Sequence, residues 1–417
     1  MNARTAWRMP DFRRLLFAAA FTTLAGRAFA VVIGYQTYAI TGDPLSLGWL
    51  GLVEAIPALS LALLGGHVAD RVDRRRIILF TLFLGTAGAG TLAVLARDPA
   101  TLRMPALYAA AFVIGVARGF AEPAVAALEA QVVPREFFVR ASAWQGSAWL
   151  SCAIIGPALG GVALDFMGIA ATFALIASLF AAAWFNVFLI ERRPTAAVSE
   201  HGESIFRSIN LGVRFVFKDQ VMVGAMALDL FAVLFGGAIA IIPVFVTDIL
   251  EVPLANRGQW VGLLAAAPSV GALLVMLWSI RHPPVRYAGQ TLLLSVFGFG
   301  LCMIGFAFSR NPWLSLVLLA GSGAFDGVSM IIRKSIVRVL SPEALLGRIS
   351  AVNMIFIGSS NEIGAFESGM AAKLLGTVRS VWLGGAMTLL VVAVAAIAAP
   401  RLRRLSLEVG RTKKEKG

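Results

Sequence analysis

Charge is what this sequence has least of. Only 14% of its 417 residues are Asp, Glu, Lys or Arg, against about 25% in ordinary soluble domains. Hydrophobic residues make up 59%, more apolar surface than a soluble chain of this length could hide, so lipid is the solvent for most of it. Cysteine is scarce too. Cys152 and Cys302 both sit inside apolar runs, which excludes a disulfide framework. The three histidines, His67, His201 and His282, share no metal-ligand spacing, so neither a metal nor any other cofactor is expected. The sequence lacks G-x-x-x-x-G-K-[ST], which leaves direct ATP hydrolysis unsupported. It also lacks a Ser/His/Asp or H-E-x-x-H constellation, which argues against an enzyme of the intramembrane hydrolase kind.

What remains is a series of apolar runs about 20 residues long, rich in Ala, Leu, Gly and Phe, without the alternation of barrel strands. Backbone polar groups in lipid must be paired internally, which leaves helices. Runs fall at about 13–39, 46–69, 76–96, 105–128, 141–165 and 170–190, then at about 221–247, 259–280, 287–308, 313–336, 349–372 and 379–400. The expected fold is therefore an all-α membrane protein of about 12 transmembrane helices in two pseudo-symmetric six-helix bundles. Residues 1–190 form the first bundle and 221–400 the second. A polar linker, 191–220, lies between them, and a basic tail, 401–417, follows. Within the linker SIFRSINLGVRFVFK has the spacing of an amphipathic helix on the membrane surface. The first run, from about Leu15, has no small-residue cleavage site behind it and reads as a retained helix.

The formal charge of +13 lies in short clusters between apolar runs rather than along one face, which argues against a nucleic-acid partner. With both termini cytoplasmic, 28 of the 36 Lys and Arg fall on that side and 6 on the other, with Arg27 and Arg118 inside helices. That asymmetry orients an even number of spans. The halves also match one another. VPREFFVRASA at 133–143 aligns with SPEALLGRISA at 341–351, and Gly115, Gly119, Gly156 and Gly161 correspond to Gly323, Gly327, Gly364 and Gly369, all offset by 208. WLGL at 49–52 matches WVGL at 260–263, and Pro57 matches Pro268, offset by 211. Parallel six-helix repeats place a binding site at their interface near mid-membrane.

The first hairpin, GGHVADRVDRRRIIL from Gly65 to Leu79, resembles the loop signature of the major facilitator superfamily. Gly66, Asp70, Arg71, Arg74 and Arg75 match, and Asp73 replaces the glycine of the turn. The resemblance implies a charge latch that stabilises one conformational state. The corresponding loop of the second half lacks the pattern. Gly146 followed by Gly156, Pro157, Gly160 and Gly161 resembles the motif of the superfamily's antiporter branch, where small residues and a bend allow close, mobile helix contact. Arg118, in GVARGFAEPAVAA, is similar to the arginine-bearing motif linked to proton coupling, with Glu122 placed to pair at i,i+4. LSPEALLGRISA and SSNEIGAFESG resemble stretches of the proton-antiporter subgroup that contains the enterobactin exporter and related drug exporters.

The same resemblance implies that the first, fourth, seventh and tenth helices line a central cavity. Near their middles they carry Arg27, Arg118, Asp229 and Asp326, cations in the first half and anions in the second. Glu54, Asn361 and Glu362 lie on side-wall helices. Ionisable groups at such depth are functional candidates. Proton-coupling candidates are Glu122, Asp229, Glu54, Arg118, Asp326 and Glu362, with Glu122 and Asp229 first. The rival reading makes cross-half pairs into salt bridges that hold a gate shut. Phe112, Phe120, Phe231, Phe235, Phe325 and Met330 would complete a wall suited to bulky organic molecules, with lipid-facing or core packing as the alternative for each. Together these features describe a monomeric exporter of a siderophore-like or drug-like small molecule, working by alternating access in a bacterial inner membrane in exchange for protons. An uptake system or uniporter of the same fold is the first alternative, a non-transporting receptor or scaffold the second.

Overall fold

A computed structural model describes residues 9–98, 100–192, 214–236 apart from 216 and 218, 238–282, 286–342 and 346–407. The 204–218 amphipathic segment and the basic tail beyond 407 lie outside the described residues for the most part. The chain is helical throughout its apolar runs: α1 (Pro10–Thr41), α2 (Pro44–Arg71), α3 (Arg74–Leu95), α4 (Met104–Val132), α5 (Phe138–Phe188), α6 (Gln220–Phe235), α7 (Arg257–Arg281), α8 (Ala288–Phe308), α9 (Pro312–Leu340), α10 (Leu346–Leu375) and α11 (Thr377–Ala398). Among the described residues ten helical spans are long and apolar enough to cross a membrane, Gln220–Ile249 counting as one of them. One, α5, is two helices joined at Gly168, whose φ of 75° and ψ of 170° leave the helical region. Adding the second arm of α5 and the 30-residue α10 brings membrane-length helices to about the dozen that the apolar runs predict.

Local chemistry explains where helices begin. Proline stands in the first turn of α1, α2, α4 and α9, where its missing N–H costs nothing. Carboxylate or amide side chains cap α2, α3, α6 and α9. Asp43 accepts from Leu45 N at 3.0 Å, Asp73 from Arg75 N at 3.0 Å, and Asn311 from Trp313 N at 2.9 Å. Asp219 accepts from Val221 N at 2.8 Å and Met222 N at 3.0 Å. These side chains satisfy N–H donors that the helix itself leaves unpaired. Beyond Phe235, α6 gives way to a 3₁₀ turn (Ala238–Ile241), three α-helical residues (Ile242–Val244) and a π-helical turn (Phe245–Ile249).

The described residues cluster into two compact units. The first comprises Met1–Ser199 with Ala240–Ala266, and the second Glu200–Ile239 with Ala267–Gly417. Sequence order alone would divide the chain at the 191–220 linker, whereas Ala240–Ala266 packs with the earlier residues.

The 211/208 register has a direct counterpart in packing. In the first unit a Cβ on Gly115 of α4 would overlap the Glu54 carbonyl of α2 and stand 2.8 Å from Pro57. In the second unit Gly323 of α9 is pressed against Pro268 of α7. One turn on, Gly119 meets Leu61 and Gly327 meets Ala272, at 3.0 and 3.2 Å from the Cβ each would carry. Small residues let helix backbones touch where lipid offers no hydrophobic drive. Gly115→Val should therefore lower the melting temperature of the purified protein by several degrees, the scale of about 1–3 kcal/mol of overpacking. An unchanged melt would show that α2 and α4 have slack there.

Candidate functional site

Each unit pairs its own intramembrane charges. In the first, Arg118 of α4 donates to Glu54 of α2 at 2.7 Å, and its Nε lies 3.7 Å from Glu122 one turn along. The i,i+4 partner expected from sequence is present, but the closer acid comes from the neighbouring helix. The Glu122 side chain is 66% exposed, against 24% for Glu54. On α1, Arg27 spreads over the ring of Trp149, 5.7 Å from its centroid. Gly156 of α5 makes this possible, because a Cβ there would come within 2.6 Å of Arg27 Cβ.

In the second unit Asp229 of α6 forms an ion pair with Arg333 of α9, and Arg333 also reaches Asp326 at 3.4 Å. The Arg333 and Asp229 side chains are 12% and 9% exposed, Asp326 43%. Arg333 Nε is buried with no hydrogen-bond partner. Arg333 is the member of this charge cluster that sequence reasoning missed. It follows apolar residues but precedes Lys334 and Arg338, so the charge count by sides placed it in a cytoplasmic loop. Its position corrects the division of cations and anions between halves, since the second half supplies a guanidinium for its own aspartates. Ring positions vary. Phe231 stacks on Phe235 with centroids 6.1 Å apart, and Phe231, Phe325 and Phe112 are exposed. Gly298 leaves room for the Phe325 ring. Phe120 packs instead on the first unit's core, and Met330 is half-buried. Asn361 and Glu362 occupy α10, exposed and half-buried respectively.

In the hairpin between α2 and α3, three arginines of the signature make side-chain contacts. Asp73 caps α3. Arg75 is buried and donates to the Val187 carbonyl at 3.2 Å and to the Phe188 carbonyl, with its guanidinium 5.4 Å from the Phe188 ring centroid. It thereby satisfies carbonyls at the C-terminal end of α5. Arg74 donates back to the Ala69 carbonyl at 3.2 Å, and Arg71 contacts His67. Asp70 is exposed. Gly65, not Gly66, takes the close approach, against the Gly119 backbone.

The glycines of the fifth segment divide likewise. Gly146 meets nothing within 4 Å of its would-be Cβ. Gly160 packs on Ala28, and Gly161 packs on Gly258 and Gly262, with the Pro157 carbonyl against Gly262. Asp165, one turn beyond Gly161, accepts from Gly258 N at 2.9 Å and Gln259 N at 2.7 Å, capping α7 from another helix. Tyr38 at the end of α1 donates to Asp248. These contacts tie Ala240–Ala266 into the first unit. A carboxylate four residues after GPALGG was the one available signal for this clasp.

Membrane-length helices in a repeated arrangement, glycine-lined helix crossings and paired charges at membrane depth define a polytopic membrane protein. The sequence profile of the Major Facilitator Superfamily matches residues 15–288, and the chain belongs to that superfamily of membrane transporters. It is 24% identical to an uncharacterized MFS-type transporter, y4rN, of Sinorhizobium fredii, over 96% of this chain and 97% of that one. It is 25% identical to the enterobactin exporter EntS of Shigella flexneri, over 95% and 93% of the two chains. Among solved structures it is similar to a peptide transporter POT in complex with sulfate, with a TM-score of 0.71 at 14% identity over 98% and 100% of the chains. It is also similar to the nucleoside transporter NupG, with a TM-score of 0.65 at 15% identity over 94% and 98%. At such identities these two structures speak to the fold alone.

Proposed function

We propose that the protein is a secondary active exporter of a bacterial inner membrane that moves a small organic compound, siderophore-like or drug-like, outward in exchange for protons. Similarity to EntS across most of both chains favours export, and the uneven Lys and Arg count favours cytoplasmic termini. Residues 1–190 and 221–400 would alternate in exposing the substrate, joined by the 191–220 linker, within a single chain. The observation that carries the coupling is the Arg333 cluster. One guanidinium there faces two carboxylates, Asp229 and Asp326. Arginine stays charged, so the cluster holds an excess negative charge at a depth where charge costs at least a few kcal/mol. A proton taken up by one aspartate removes that excess, and its release restores it. Binding and release on opposite faces, each tied to one conformation, would couple proton entry to substrate exit. Glu54 and Glu122 around Arg118 form a second, more exposed set.

Reconstitution in liposomes with an imposed pH gradient tests this. One pH unit supplies about 1.4 kcal/mol per proton exchanged, enough for about ten-fold accumulation. Siderophores and lipophilic drugs offered as substrates should include at least one that accumulates to about that ratio. Equal rate and extent of movement with and without the gradient would make proton antiport wrong.

A further inference from the structure

Among the described residues Arg27 has no carboxylate of its own, since the Glu54 near it is in an ion pair with Arg118. Arg27 lies near the middle of α1, about 25 Å from Pro10 and about 21 Å from Thr41 at about 1.5 Å per residue. A lipid phosphate cannot reach that depth in a hydrocarbon core about 30 Å thick. Among the described residues no carboxylate lies within ion-pair distance of Arg27, and the nearby Glu54 is taken by Arg118 at 2.7 Å. The Arg27 residue is nonetheless exposed. An arginine left open to lipid at mid-depth would be costly, so this surface meets water or a ligand. What fixes the guanidinium is apolar. The Gly156 notch admits its stem, and the Trp149 ring lies beneath it. Trp149 is itself 51% exposed, leaving an aromatic surface beside a fork of N–H donors.

We propose that Arg27 and Trp149 form a recognition subsite for an organic anion, Arg27 binding a carboxylate or similar oxyanion of the substrate and Trp149 packing on an attached aromatic ring. This rests on the transporter reading above and narrows its substrate to anionic aromatic compounds. Arginine presents parallel N–H groups that match such an oxyanion bidentately. The indole already beneath it preorganises the guanidinium, so little side-chain freedom is lost on binding.

Equilibrium dialysis on the purified full-length protein, with no gradient imposed, separates this from the export reading. The probes are 1-naphthoate, the neutral 1-naphthamide and the cationic 1-naphthylmethylammonium. The parent protein should bind the carboxylate at least about ten-fold more tightly than the amide and should discriminate most against the ammonium. Arg27→Gln should erase the carboxylate's advantage while leaving amide binding intact, which also reports that the variant is folded. Arg27→Lys should keep part of it, having the charge but not the planar fork. Three results would overturn the subsite: no preference for the carboxylate in the parent, a preference surviving Arg27→Gln, or equal loss of amide binding in that variant. Failure of gradient-driven transport with anion preference intact would instead count against proton-coupled export and leave the subsite standing.

Discussion

Asp229→Asn is expected to abolish gradient-driven accumulation, lowering it at least about 100-fold, while gradient-independent exchange of the same compound continues. Asparagine fills the same space and can still accept from Arg333, but it cannot take and release a proton. The Arg333→Ala variant should fail differently. Removing the cation leaves Asp229 buried without its partner, a change that costs about 3–5 kcal/mol when one member of a buried pair is deleted. It should lower the melting temperature of the purified protein well beyond the effect of Asp229→Asn. Combining Asp229→Asn with Arg333→Gln should recover much of that stability and none of the coupling. If Asp229→Asn still accumulates substrate at the parent's level, the proton is carried elsewhere, with Asp326, Glu54 and Glu122 next in line. A parent-like melt for Arg333→Ala would mean that the ion pair is not what fastens α6 to α9.

Gly161→Leu is the second change with a large expected effect. A Cβ at Gly161 overlaps the Gly258 carbonyl, and Gly262 Cα stands 3.0 Å away, so any side chain must push α7 off α5. Two backbone hydrogen bonds to Asp165 and the Tyr38–Asp248 contact lie beside that crossing. Transport is expected to fall at least about ten-fold, and a cysteine placed at Gln259 should react with a maleimide faster than in the parent. Asp165→Ala, which removes the cap without adding bulk, should shift the same labelling by a smaller factor, on the scale of about 1 kcal/mol for a lost cap. Unchanged labelling in both variants would show that Ala240–Ala266 is held by something other than this clasp.

How much of this was readable in advance divides along physical lines. Helices announce themselves because lipid forces apolar runs of a set length, and their number follows, with the kink at Gly168 falling between the runs at 141–165 and 170–190. The register between halves was legible because close backbone contact leaves glycine at Gly115 and Gly323 and proline at Pro57 and Pro268. Partners of charges were not. Glu54 and Arg118 are 64 positions apart, and no periodicity links Arg333 to Asp229. Proximity to Lys334 and Arg338 made Arg333 look like a loop residue, since side-counting weighs charges by neighbourhood in sequence. The hairpin signature was recognisable as a pattern, yet its work is done by Arg75 on the carbonyls at the end of α5, contacts that only the fold brings together. Asp165 illustrates the same gap: a carboxylate after a glycine motif says nothing of which amides it will cap.

The recurrence of one crossing in both units, Gly115 on Pro57 and Gly323 on Pro268, is the trace that duplication of a shorter ancestor would leave. At the adjacent repeat position the two copies differ as far as side chains can, with Arg118 in one and Asp326 in the other. Excluded volume makes any larger residue costly at either glycine, so neither copy could relax it without losing stability. Charge can be rewritten if a counter-ion arises nearby, as Glu54 answers Arg118 and Arg333 answers Asp326. Divergence after duplication would thus have run through electrostatics, with the skeleton of contacts inherited intact, and a symmetric ancestor became a carrier whose two copies are chemically unlike.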